Sequence, residues 1–320
     1  MFKRACILGF SCLLAACGGG GGGSADVPAY QPSSPGQGDV PGITVVDLTA
    51  GLVAPQFMVF NETDRFLYVA DRTISATRVE GTVRKINVAG GAPVATTSVN
   101  EPVGVAFDGA GRFFVTGRNP DSSSGLMQMN LTAPWTLTDQ VLVGNPAGVV
   151  FKPTGYGYLA NGSDKVTVLS AGIPPITIDG TPNGLAYADG YVYVTRFNAG
   201  ANGVSRFATA DSSPQVFASS TNFNGPTAIA VRTTPFELYV VNTKGAYSER
   251  SVLAISASGS VRVFLSAQNP DHKLCAPGGV AIDNSASPAV LYIANGACPG
   301  APDYNTNYAG KVLKVALPAP

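Results

Sequence analysis

The chain has no excess of either charge: 20 Lys and Arg stand against 20 Asp and Glu, and charged residues make up only 12% of it. A phosphate backbone demands a basic patch, so nucleic acid is excluded as a partner. The apolar run Ala5 to Ala16 falls well short of the roughly 20 residues that a membrane-spanning helix requires. No amphipathic helix of useful length can be traced. No Gly-x-Ser-x-Gly turn offers a nucleophile, and no glycine loop has the form that cradles phosphate. Histidine occurs once, as His272. Placed in a loop, it reads as solvated.

What is present is turn chemistry and short strands. The 38 glycines and 24 prolines are interspersed with Val, Tyr, Phe and Thr, the composition of many short strands joined by tight turns. Self-similarity is the informative signal. A proline opens a short apolar strand at Pro55, Pro102, Pro146, Pro182, Pro226 and Pro277, as in Pro102-Val103-Gly104-Val105-Ala106-Phe107. These prolines are 47, 44, 36, 44 and 51 residues apart. A second, aromatic strand follows each, as in Phe66 to Asp71, Tyr191 to Thr195 and Leu291 to Asn295. Third strands (Gly81 to Ile86, Val204 to Phe207, Gly310 to Val315) and outer strands (Gln215 to Phe217, Val261 to Phe264) complete most units.

Four strands per unit of about 45 residues is the period of a propeller blade. The fold class read from this pattern is all-β, a six-bladed β-propeller. Gly104, Gly148, Gly184, Ala228 and Gly279 suit inner strands crowding towards an axis. The last unit ends near Leu317 with only three strands, while Ile43 to Leu48 precedes the first unit without a partner. That N-terminal strand is therefore predicted to become the outer strand of the last blade, which removes an open sheet edge. Asp71, Asn161, Asn242 and Asn295, which end second strands, are read as turn caps.

Pro-x-Gly-Val-Ala-Phe combined with Tyr-Val-Ala-Asp or Tyr-Ile-Ala-Asn resembles the NHL-repeat family and its relatives. The resemblance spans residue 43 to the end and implies the fold more than the activity. Pro182-Asn183-Gly184-Leu185-Ala186-Tyr187 resembles the inner-strand motif by which the SMP-30/gluconolactonase family places an asparagine on a catalytic metal, which makes Asn183 a candidate ligand-binding residue. That family adds a glutamate and an aspartate from other inner strands. At the corresponding positions this chain has Gln56, Val103, Ala147, Thr227 and Gly278, with Glu101 just before Pro102. No catalytic residue, metal ligand or cofactor is assigned on this basis.

Leu14-Ala15-Ala16-Cys17, after Lys3, Arg4 and the apolar run, resembles the lipobox of a bacterial lipoprotein. The resemblance implies cleavage after residue 16, acylation of Cys17, and, because Gly18 and Gly19 follow with no aspartate, an outer-membrane location facing either side. The expected organisation is a signal peptide over 1–16, a lipidated Gly/Ser/Pro-rich tether over 17–42 and the propeller over 43–320. Loss of Lys3 and Arg4 leaves 18 basic against 20 acidic residues. The cysteines beyond the anchor, Cys275 and Cys298, are expected to form one disulfide in an oxidising compartment.

The loops after the second strands are expected to share one face carrying Arg72, Arg118, Arg196, Asn198, Lys244, Tyr247, Asp303, Tyr304 and Tyr308. Among these, Arg118, Arg196, Tyr247 and Tyr304 are the candidate ligand-binding residues. The leading expectation is a monomeric, membrane-anchored binding module that docks an envelope protein, peptide or glycan on this face. The alternative is an SMP-30-like hydrolase or lyase acting on a small ligand in the central channel around Asn183.

Overall fold

The computed structural model describes residues 42–320 except 75–78, 119–123, 133–134, 171, 198–201, 209–212, 246–248, 298–309 and 320. The expected signal peptide and all of the expected tether but Gly42 lie outside the described residues. The rest forms six four-stranded antiparallel sheets. The first blade is β2 (Ala54–Asn61), β3 (Phe66–Ile74), β4 (Val79–Asn87) and β5 (Val94–Ser98). The second is β6 (Val105–Phe107), β7 (Phe113–Arg118), β8 (Ser124–Met129) and β9 (Leu137–Leu142). The third is β10 (Pro146–Phe151), β11 (Gly157–Asn161), β12 (Lys165–Val168) and β13 (Ile176–Thr177). The fourth is β14 (Thr181–Ala188), β15 (Tyr191–Phe197), β16 (Gly203–Ala208) and β17 (Gln215–Ser219). The fifth is β18 (Pro226–Thr233), β19 (Phe236–Asn242), β20 (Ser251–Ser256) and β21 (Val261–Ser266). The sixth joins β22 (Ala276–Asp283), β23 (Val290–Gly296) and β24 (Gly310–Ala316) to β1 (Val45–Leu52).

The inner strands touch in the cycle β2, β6, β10, β14, β18, β22 and back to β2, which closes the ring. The core follows from that geometry. Each sheet buries both faces against its neighbours, so second strands such as Leu238-Tyr239-Val240-Val241 are apolar throughout rather than alternating. Six apolar clusters fill the six gaps between blades; Tyr68, Val83, Phe113 and Met127, for example, fill the gap between the first and second. Tyr68 meets Phe107 edge to face across that gap at 5.2 Å. Burying one such ring contributes about 1.5–3 kcal/mol. The buried hydroxyls keep polar partners: Tyr68 donates to Asp64 at 2.6 Å and Tyr239 to Glu237 at 2.5 Å. Burial, reinforced by those bonds, pushes both phenols above the ordinary tyrosine range.

The predicted closure is present. β1 pairs antiparallel with β24 from Val45 opposite Val315 to Leu52 opposite Gly310. The pairing starts two residues later than Ile43 and runs four past Leu48, over two irregularities between Asp47 and Leu52. The Thr49 hydroxyl, between them, donates to the Gly91 carbonyl of the first blade at 2.7 Å. The N-terminal strand thus holds both ends of the ring.

Candidate functional site

The proline openings set the geometry of the ring's mouth. Pairing of inner with second strand skips residues from Pro55 to Met58, Pro146 to Val149, Pro182 to Leu185, Pro226 to Ile229 and Pro277 to Gly279. Such a bulge lifts the chain off the ladder and re-aims it. The lifted backbones then approach one another closely. A Cβ on Gly184 would lie 2.2 Å from the Thr227 carbonyl, and one on Gly104 2.3 Å from that of Ala147. Only glycine fits there.

Two buried threonines fasten the same contacts. The Thr195 hydroxyl accepts from the Gly184 amide at 2.7 Å and lies 2.5 Å from the Thr227 carbonyl of the next blade. Thr116 repeats this with the Gly104 amide at 2.6 Å and the Ala147 carbonyl at 2.8 Å. Sequence reasoning missed these latches. Their signal was a threonine where other second strands have Ala70, Ala160, Val241 or Ala294.

On this rigid frame Asn183 is half-buried between the buried Pro182 and Gly184. Gln56 and Thr227 occupy the same position in their blades and are likewise half-buried. The Gln56 amide turns back to the Ala54 carbonyl at 3.2 Å, and the Thr227 hydroxyl reaches the Val241 carbonyl at 3.4 Å. Amides and a hydroxyl offer neutral donors and acceptors, suited to hydroxyl and carbonyl groups of a ligand. They do not fit the metal of the SMP-30 resemblance. A hard divalent cation wants charged oxygen ligands, and among the described residues no group of three His, Cys, Asp or Glu stands together.

The expected loop face is only partly loop-borne. Arg72, Arg118 and Arg196 lie on second strands, opposite Gly81, Ser124 and Gly203. Arg196 is not a solvated surface arginine: it is 3% exposed. Its Nη1 lies 3.3 Å from both the carbonyl and the Oδ2 of Asp179, while its buried Nε has no hydrogen-bond partner. The Lys244 ammonium sits over the Phe197 ring, 3.1 Å from its centre. Tyr247, Tyr304 and Cys298, with Asn198, Asp303 and Tyr308, lie outside the described residues.

Of the residues read as turn caps, Asn161 caps the turn after it, whereas Asp71, Asn295 and Asn242 reach across to the segment before an inner strand. Asp71 accepts from the Val53 and Ala54 amides at 2.9 and 3.0 Å and from Arg84 Nε at 3.1 Å. Asn295 accepts from the Cys275 and Ala276 amides at 2.9 and 3.2 Å and donates to the Lys273 carbonyl at 3.0 Å. Asn242 accepts from the Asn224 amide at 3.1 Å and donates to the Asn222 carbonyl at 2.7 Å. Each clasps the segment leading into its own blade's inner strand. The Asn161 side chain accepts from the Ser163 hydroxyl at 2.7 Å in the turn that follows it.

His272 corrects its reading as solvated. It is 2% exposed, its Nδ1 accepts from the Ser266 amide at 3.0 Å, and its Nε2 lies 3.2 Å from Asn269 Nδ2. Pro270–His272 forms a single 3₁₀ turn capped by Asn269, and that turn carries the ring inwards under the outer strand of the fifth blade. Cys275 is also buried, at 4% exposure.

Fold and entry positions together define a closed six-bladed β-propeller in which Gln56, Asn183 and Thr227 offer neutral polar groups beside Val103, Ala147 and Gly278. Its likeness to solved structures agrees. It is similar to a gluconolactonase from Xanthomonas campestris, with 16% identity and a TM-score of 0.60 over 88% of this chain and 92% of that one. It is similar to the PQQ-bound aldose sugar dehydrogenase of Streptomyces coelicolor, with 14% identity and a TM-score of 0.62 over 86% and 98%. The soluble aldose sugar dehydrogenase of Escherichia coli matches with 13% identity and a TM-score of 0.59 over 85% and 99%. At such identities the likeness is one of fold. No protein-family model and no curated protein matches the chain.

Proposed function

We propose that the ring takes a small, neutral, polyhydroxylated ligand of the sugar-lactone class at its mouth around Asn183, and acts on it there as a hydrolase or lyase. The observation that carries this reading is the half-buried Asn183, held on a bulged strand whose backbone the neighbouring blade locks in place. Solved propellers that match nearly end to end are a gluconolactonase and aldose sugar dehydrogenases, which supports a sugar-derived ligand. The Asn183 amide would orient the ligand through paired donor and acceptor bonds. The reading derives no step through a metal, because the donor set at the mouth does not fit one.

The reading is tested by assaying the full chain on glucono-δ-lactone and comparing Asn183→Ala. Loss of an oriented polar contact is expected to lower kcat/KM by about tenfold or more, the worth of a hydrogen bond of 1–3 kcal/mol to a bound group. Activity indifferent to Asn183→Ala, or none on lactones, overturns it.

A second reading is a docking module for an envelope protein, peptide or glycan through Arg118, Tyr247 and Tyr304, without the buried Arg196. The neutral donor set at the mouth favours it, since recognition needs no charged catalytic group. Under either reading we place the chain, as a lipoprotein, on the outer membrane through acylated Cys17 and the tether, as a monomer with Cys275 bridged to Cys298.

A further inference from the structure

The third blade is the shortest unit of the sequence, and its outer strand β13 is only two residues long after Pro174 and Pro175. A cleft of about 570 Å³ opens between the third and fourth blades, lined by Asp164, Thr177, Ile178, Asp179 and Gly180 of one wall and Arg196, Ser205, Pro214 and Val216 of the other. It is an open groove rather than an enclosed cavity.

The charges in it are unevenly used. Asp164 Oδ2 stands 3.4 Å from the Lys165 ammonium, which also donates to the Thr177 hydroxyl at 2.7 Å. Arg196 is nearly fully buried, yet its recorded partners are two 3.3 Å contacts to one residue, Asp179, whose side chain is 79% exposed. Its Nε has none. A buried guanidinium is costly unless its donors are matched, and a planar fork is matched best by a carboxylate held two-point. An exposed aspartate at long range is a poor match.

We infer that the cleft between the third and fourth blades binds a small organic carboxylate, which displaces Asp179 from Arg196 and rests its body on Pro214 and the exposed Val216. Ser205 and Thr177 supply hydroxyls for its polar groups. This site does not use Asn183, although Arg196 pairs with Pro182 beside it.

Calorimetric titration of the full chain with sodium gluconate, against sodium chloride at equal ionic strength, tests it. Saturable binding is expected. Asp179→Ala removes the competitor and should tighten binding about two- to fivefold, the range an exposed ion pair is worth. Arg196→Gln should weaken it roughly ten- to hundredfold, the worth of charge-assisted bonds. Asp179→Ala keeps the Asp179 carbonyl on Arg196 Nη1, and its melting temperature is checked before titration, so it decides the matter even where Arg196→Gln does not fold. No saturable binding, or binding unchanged or weakened by Asp179→Ala, overturns the inference. Binding that survives Arg196→Gln but falls with Asn183→Ala puts the ligand in the ring mouth and overturns it too.

Discussion

Arg65 and Asp283, 218 residues apart, join the first and last blades: Nη2 lies 2.5 Å from Oδ2 and Nη1 3.2 Å from Oδ1. The carboxylate is 1% exposed and the guanidinium 45%, stacked over Phe60 at 4.8 Å. Ser285 adds its hydroxyl at 2.6 Å and its amide at 3.0 Å. The seam of the ring is therefore held by an ion pair as well as by β1.

Burial alone would raise the Asp283 carboxyl, but the bonds from Ser285 and Arg65 and the charge of Arg65 outweigh it, so it titrates below the ordinary carboxylate range. A depressed native pKa contributes stability in full above the unfolded value of about 4, and that contribution is lost as pH falls through the native value. Asp283→Asn should therefore flatten the acid limb of stability and cost about 1–3 kcal/mol near neutrality. Denaturant midpoints measured from neutral pH down to strong acid check both. Burial pushes Tyr292, which faces the same pair, up to about 12, so its contribution is lost only in strong alkali.

Thr195→Val preserves shape, because Val241 fills the same place in the fifth blade. It leaves the Gly184 amide without its 2.7 Å acceptor and removes the link to the Thr227 carbonyl. A buried orphan donor costs about 1–3 kcal/mol. The expected loss of that size, read by chemical denaturation, should exceed the effect of truncating the exposed Val46. Equal effects would remove the latch from the account.

The proposed Cys275–Cys298 bridge would close a short loop, for which chain entropy assigns about 3 kcal/mol. Thiol titration of the denatured, unreduced soluble domain should find neither cysteine reactive, and reduction should lower the melting temperature by several degrees. Two free thiols would remove the bridge.

The fold was legible because its signals are local. Each proline opening, each aromatic second strand and the unpartnered residues before Pro55 could be read without knowing their neighbours. Even the crowding at Gly184 and Gly104 showed as small residues at a fixed place. What could not be read depends on the adjacent blade. Arg196 is buried where the fourth blade meets the end of the third, with Asp179, from the segment after β13, against its Nη1. His272 is buried because one 3₁₀ turn carries it inwards. The Asn183 position was legible from its motif, whereas the bulge that locks it belongs to pairing that a single strand does not reveal.

The ring mouth, as proposed, holds a neutral sugar-class ligand through amide and hydroxyl contacts rather than through a cation. The most direct measurement is the melting temperature of the full chain with glucono-δ-lactone in excess, with and without calcium, zinc or a chelator. Occupancy at 100 times the dissociation constant stabilises a protein by about 2.7 kcal/mol. The account predicts a clear rise with lactone that neither cation nor chelator alters. No rise with lactone, or one that appears only with a divalent cation, would contradict it.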